Sequence, residues 1–243
     1  MISYRSLCVL VLVAWPALAI VLGAIDPAPA VGAPGPPALS SNIVATFLDR
    51  RDPPATSYRA RRRLEAENER FKKSGWLDVI TELGPGGFRY EVLAAGGSEY
   101  VQNKVLRAAL DGERDLIRTS SAGTLDSANY RFADDGVEGD LARIRMTPIR
   151  KDKLLVDGWL LVSASDADLI SLKGRLAKTP SFWTTRVDVV RHYRRIAGVR
   201  VPVDLRSTAM VRFAGPSTFS MTYEYESING VPVEPPLEHP HEP

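Results

Sequence analysis

Beyond Cys8 the chain contains no cysteine. That absence removes disulfides, cysteine-ligated zinc and thiol catalysis from anything the rest of the protein does. Stability must come from an ordinary core, and about 200 residues suffice for one of moderate size. Histidine is nearly as scarce: there are three, and His239 and His241 fall in a proline-punctuated tail where two ligands make no metal site. No His-Glu-x-x-His, no Gly-x-Ser-x-Gly, no phosphate loop and no Cys/His cluster occurs. Gly84-Pro85-Gly86-Gly87 lacks the Lys-Ser/Thr pair of a phosphate cradle and reads as a turn. A one-sided charge is missing too, because 31 lysines and arginines stand against 29 acids, for a net +2. Such a balance gives no general drive toward nucleic acid or an anionic surface. No metal, no cofactor and no nucleic-acid partner is expected.

The one long apolar run lies at the start. Arg5 is the only charge before Leu7 to Gly23, and Ala17-Leu18-Ala19 and Leu22-Gly23-Ala24 offer small-residue cleavage sites. A basic start, an apolar stretch and a small-residue exit are the parts of a secretory signal. An uncleaved anchor is the rival, since the run approaches the roughly 18–20 residues that cross a bilayer; Pro16 inside the run favours cleavage. Cys8 begins the run instead of following it, so it does not fit a lipidation site. Residues 1–24 are therefore expected to be a signal peptide and 25–39 a Pro/Ala/Gly-rich spacer (DPAPAVGAPGPP at its centre). A domain is expected over 40–233, followed by a proline-rich tail without apolar periodicity over 234–243. The expected location is periplasmic or secreted.

Inside the domain the main signal is period two. Tyr58, Ala60, Arg62, Leu64 and Ala66 alternate with Arg59, Arg61, Arg63, Glu65 and Glu67, and Leu77, Val79, Thr81 and Leu83 alternate with Asp78 and Glu82. These runs predict a β-hairpin through 72–75. Val201 to Phe213 and Phe219 to Tyr225 repeat the pattern about a turn at Gly215-Pro216. Further strands are expected at Phe88–Leu93, Asn129–Ala133, Leu141–Thr147, Leu155–Val162, Leu169–Ala177 and Arg186–Tyr193, with a turn at Asp134-Asp135-Gly136. Two segments have helical spacing: Ile43 to Leu48, capped by Ser40 or Ser41, and Glu99 to Asp111, with Gly112 as its stop. The fold class is thus α+β and mostly antiparallel β: a curled, half-open barrel of about ten strands with a covering N-terminal helix and one inserted helix.

Chemistry-bearing candidates are few. A triad would need His192, perhaps with Asp188, yet positions four apart on a strand lie about 13 Å apart; a satisfied sheet residue is the favoured reading. Acids are scattered along exposed strand faces, so a secreted enzyme built on His192 and surface carboxylates stays an alternative. Arg59, Arg61 and Arg63 share one face with Glu65 and Glu67, which favours cross-strand pairing over a phosphate site. Trp76, Trp159, Phe182 and Trp183 either line a pocket or fill a core.

The C-terminal series carries a resemblance. It runs LLVDGWLLV (154–162), SLKGRLAKTPSFW (171–183), VDVVRHYRRIAGVRVPVDLRSTAMVRFAG (187–215) and FSMTYEYESINGV (219–231), behind an exported start, a helix and a long first hairpin. In this the chain resembles the outer-membrane lipoprotein carrier superfamily (LolA/LolB-like, also RseB-like) over about Ile43 to Val233. The resemblance implies a half-open barrel whose helices cover an apolar cavity for lipid or lipoprotein acyl chains, with no catalysis and no cofactor. It also implies, as an alternative, a periplasmic sensor that binds a membrane-protein partner. No apolar loop of the kind carried by the lipid-anchored receptor member is present. The residues expected to face the cavity are Leu64, Leu77, Val79, Trp159, Leu161, Phe219, Met221 and Tyr223, with the reservation that a one-residue slip in register reverses every face. Oligomeric state is left open.

Overall fold

A computed structural model describes residues 43–119 and 124–234. The expected signal (1–24), spacer (25–39), N-cap serines and tail beyond Glu234 lie outside the described residues. Helix α1 (Ile43–Asp49) opens the domain, and strands β1 (Tyr58–Asn68), β2 (Lys73–Gly84) and β3 (Gly87–Gly97) follow. A helical arm comes next: α2 (Glu99–Val101), a π-turn over Gln102–Leu106, and α3 (Arg107–Thr119). Seven strands then run in succession: β4 (Tyr130–Glu138), β5 (Leu141–Pro148), β6 (Val156–Ser163), β7 (Leu169–Leu176), β8 (Thr184–Ile196), β9 (Val199–Val211) and β10 (Gly215–Ile228). The short β11 (Val231–Pro232) closes the series.

All eleven strands form one antiparallel sheet in the order β3-β2-β1-β10-β9-β8-β7-β6-β5-β4, with β11 on β10. The first hairpin therefore pairs with the last long strand, Leu64 lying opposite both Leu77 and Met221. Strands β3 and β4 are the free edges, so the barrel is not closed. Alternation makes one face of the sheet apolar. Leu64, Leu77, Ile144, Leu160, Leu205 and Met221 are fully buried there in one continuous core. The arm lies over β1, β2 and β3, and α1 lies over β4 and β5, where Phe47 meets Phe132 at 5.8 Å between ring centroids. Gly75 permits the arm's close approach: a Cβ there would stand 3.1 Å from that of Val101.

Three expectations need correction. The inserted helix does not stop at Gly112 but continues to Thr119. Glycine costs about 1 kcal/mol inside a helix, yet the buried face goes on past it through Glu113 and Ile117, and those tertiary contacts override the local preference. The turn expected at Asp134-Asp135-Gly136 is instead a bulge within β4, where the register shifts between Asp134 and Val137. The chain reverses at Gly139-Asp140. Likewise Gly215, at φ 69°, begins β10, and the reversal before it is made by Arg212, Phe213 and Ala214.

Candidate functional site

The inner face of the sheet beneath the arm holds a polar centre inside an apolar wall. Arg62, on the inward face of β1, is 1 % exposed and Glu113 of α3 is equally buried. The guanidinium donates to both carboxylate oxygens, Nη1 to Oε2 at 2.7 Å and Nη2 to Oε1 at 3.1 Å, and Nη2 also donates to the Tyr58 hydroxyl at 2.6 Å. Its Cζ lies 4.5 Å from the centroid of the Tyr223 ring and 5.4 Å from that of the Phe88 ring. Burial by itself would lower the pKa of Arg62, but the Glu113 carboxylate and the neighbouring tyrosines outweigh it and hold the pKa well above its ordinary value. Burial likewise raises the hydroxyls of Tyr58, Tyr223 and Tyr225. A second inward arginine, Arg191 on β8, lies opposite Leu205 in the same wall. The arm is thus joined to the sheet by its apolar stripe and by one bidentate ion pair.

Beside this centre, a cleft separates the arm from the sheet. Ala66, Phe71, Tyr100, Val101, Val105, Val211 and Ala214 give it a mostly apolar wall, with Glu67, Asn68, Lys73 and Ser217 as its polar members. Its cavity volume is about 50 Å³, room for a few water-sized groups but not for a whole acyl chain.

Of the residues expected to face a cavity, Leu64, Leu77, Val79, Phe219, Met221 and Tyr223 lie buried on the inner face. Trp159 and Leu161 do not. On β6 the buried positions are Val156, Gly158, Leu160 and Val162, and Trp159 is 40 % exposed on the outer face with the Arg145 guanidinium 4.6 Å from its ring. WLLV is apolar at every position, and the signal that fixes the parity is Asp157, which shares the outer face with Trp159 and Leu161. Gly158 faces Gly174 across the β6–β7 ladder so closely that a Cβ on either would meet the partner strand's backbone.

None of the four aromatic candidates lines the cleft, and of them Trp183 packs half-buried against the core. Trp76 lies over Gly96 on the outer face, 3.9 Å from the Arg63 guanidinium, and Phe182 is 72 % exposed. Two of the three outward arginines of β1 are paired as a solvated face would have them, Arg59 with Glu82 and Glu226, and Arg63 with Glu65 and Asp78. His192 stands on the outer face with Nδ1 3.1 Å from Asp204 across the ladder, while Asp188 contacts Arg175 and Arg186 instead. Among the described residues, no group of three His, Cys, Asp or Glu side chains could hold a metal. The buried Arg62–Glu113 pair is what sequence reasoning missed. Arg62 was visible as the one charge on the apolar face of β1, but nothing local pointed to Glu113 as its partner.

The chain is similar to LolA superfamily proteins. A LolA superfamily protein from Nitrosomonas europaea aligns at 10 % identity and a TM-score of 0.35, covering 76 % of this chain and 91 % of that one. An outer membrane lipoprotein-sorting protein domain from Vibrio parahaemolyticus aligns at 9 % identity and 0.35, covering 78 % and 91 %. A DUF1329 family protein from Desulfovibrio piger aligns at 9 % identity and 0.33, covering 76 % and 88 %. No protein-family model and no curated protein matches the chain. Among the described residues, no helix is long and apolar enough to cross a membrane.

Proposed function

We propose that the protein is an exported, non-enzymatic carrier or binding protein for a lipid, a lipoprotein acyl chain or another apolar ligand, held between the helical arm and the inner face of the sheet. The cleft between Val101 and Val105 of the arm and Ala66, Val211 and Ala214 of the sheet carries this reading. An apolar concavity with few polar groups at its margin suits an acyl chain better than a polar substrate. Because the cleft holds only a short segment, uptake of a whole chain requires the arm to move away from β1 and β2. That movement would separate Glu113 from Arg62 and leave the cation facing the ligand.

Extraction and mass spectrometry of the protein purified from its host's envelope fraction test the proposal. One class of acylated molecule at near-stoichiometric amount is the expected result. Repeated recovery of protein with no acylated molecule, or with a small polar metabolite in its place, would sink the proposal. A sensor that engages a membrane-protein partner is the second reading, and the free edge of β3 favours it, since an unpaired strand is a template for strand addition. That reading would yield a protein partner in place of lipid in the same preparation.

A further inference from the structure

Antiparallel order puts the β1–β2, β5–β6, β7–β8 and β9–β10 connections at one end of the sheet and the remaining hairpin turns at the other. The two ends differ in kind. At the first end, the β1–β2 turn carries Arg70, Phe71 and Lys72, all exposed. The β5–β6 connection carries Ile149, Arg150, Lys151 and Lys153, again exposed. Lys178 and Phe182 stand out from the β7–β8 connection, and Arg212 and Phe213 from the β9–β10 turn. The acids there are Glu69 and Asp152, with Glu99 and Asp126 in the adjoining segments; Asp126 is engaged by the backbone N–H groups of Ala128 and Asn129. At the opposite end, residues 85–86, 139–140, 164–168, 197–198 and 229–230 contain Asp140, Asp166 and Asp168, but no lysine, arginine, aromatic or large aliphatic residue; of the adjoining cations, Arg50, Arg195 and Arg200 are paired with Asp52, Asp166 or Asp168, and Arg51 and Arg194 are exposed.

Phe182 and Phe213, at 72 % and 70 % exposed, are the most exposed large apolar side chains among the described residues. They are held in place. Phe182 and Trp183 pack edge-on at 5.4 Å, Trp183 lies 6.3 Å from Phe213, and the Arg212 guanidinium covers Phe182 at 4.6 Å. Phe213 sits at φ 64°, a left-handed conformation that a bulky residue seldom adopts, so this turn keeps a phenylalanine where glycine would relieve the backbone. The connections are knitted together: Asn68 donates to Ala214 O at 3.1 Å, Arg212 N to Trp183 O at 2.8 Å, and Ala177 N to Leu155 O at 2.8 Å. The cleft beneath the arm, lined by Phe71 and Ala214, lies at this end.

We infer that this end of the sheet docks on an anionic phospholipid bilayer. Exposed aromatic rings at the tips of rigid turns enter the headgroup layer, and lysines and arginines around them meet the lipid phosphates. The near-zero net charge hides this arrangement, because it arises from the distribution of charge between the two ends. Docking is separable from ligand uptake, since neither Phe182 nor Phe213 lines the cleft.

The test is co-sedimentation of the protein, purified in the form its host exports, with vesicles of phosphatidylcholine alone or with about one-third phosphatidylglycerol. Expected is binding to the anionic vesicles that weakens as salt rises toward about 0.5 M. The Lys178→Glu/Arg212→Glu variant should lose about thirtyfold or more in partitioning, since each cation near an anionic surface contributes roughly fivefold. Phe182→Ser/Phe213→Ser should also fall at least about tenfold, whereas Trp159→Ser on the outer face should bind as the parent does. Both double variants should still bind an acyl-chain fluorophore in vesicle-free solution. The inference is overturned if the parent ignores anionic vesicles, if it binds phosphatidylcholine equally well, if the end-directed variants sediment like the parent, or if the basic end captures an acidic protein and no vesicle.

Discussion

Arg62 is a cation placed where burial opposes its charge, and its tolerance there depends on Glu113. Removing one partner of a buried ion pair typically costs about 3–5 kcal/mol, because the remaining charge stays desolvated. Glu113→Ala is therefore expected to destabilise the protein by about that amount in urea denaturation. The double variant Arg62→Met/Glu113→Leu should recover most of the loss, since an apolar pair of similar volume is often as stable as the ion pair. A single variant with parental stability would show that the pair does not hold the arm. His192 belongs to the other extreme. It is half exposed and pairs with Asp204, so His192→Ala should cost less than about 1 kcal/mol, as exposed pairs do. A larger loss in the same denaturation assay would mean that the side chain is engaged beyond that contact. Both residues were legible in the sequence as faces: Arg62 as the charged intruder on an apolar stripe, and His192 as a sheet residue without triad partners. Glu113 was not legible, because its role depends on a contact spanning fifty positions that no local pattern encodes.

Periodicity identified nearly every strand, since one wet face imposes strict alternation on each. It failed where that constraint lapsed. In β6 the outer face carries Trp159 and Leu161 as well as Asp157 and Ser163, and the inward assignment of Trp159 reversed. In β4, Asp-Asp-Gly was taken for a reversal although the ladder accommodates it as a bulge. The aromatic end of the sheet escaped notice because each connection contributes only one or two apolar residues, and topology alone gathers them. Two elements yield sharp expectations. Gly158→Ala would drive a Cβ into the β7 backbone, and overpacking of this kind costs about 1–3 kcal/mol; a melting temperature equal to the parent's would contradict the close approach.

The segment after α1 is tied to the far end of the sheet through Asp52, which accepts from Arg50 at 3.1 Å and Arg195 at 2.7 Å and pairs with the buried Arg200. Burial alone would raise the Asp52 pKa, but Arg195, Arg200 and Arg50 together hold it below the ordinary 3.8. With the folded value depressed, its contribution to stability is complete above the unfolded pKa and is lost as pH falls through the folded one. Asp52→Asn should accordingly lower the melting temperature most above pH 4 and progressively less toward pH 2. A deficit that grows on acidification would contradict the assignment.

At the scale of the whole molecule, an open antiparallel sheet is covered by the arm over β1–β3 and by α1 over β4 and β5, and a seam runs between the arm and the turn end of β1 and β10. The N-terminal sequence pattern and this seam are what support the proposed exported binding protein. N-terminal sequencing of the envelope-fractionated chain should find it beginning after Ala19 or Ala24, and an intact Met1 in the membrane pellet would favour an anchored form. The central claim is that an acyl chain enters between the arm and the sheet, and titration of an acyl-chain fluorophore against the purified exported chain tests it most directly. Saturable binding is expected, lost in Ala66→Phe, which fills the cleft, and kept in Trp159→Asp on the outer face, with circular dichroism unchanged in both. No binding by the parent, or binding that survives Ala66→Phe and disappears in Trp159→Asp, would contradict it.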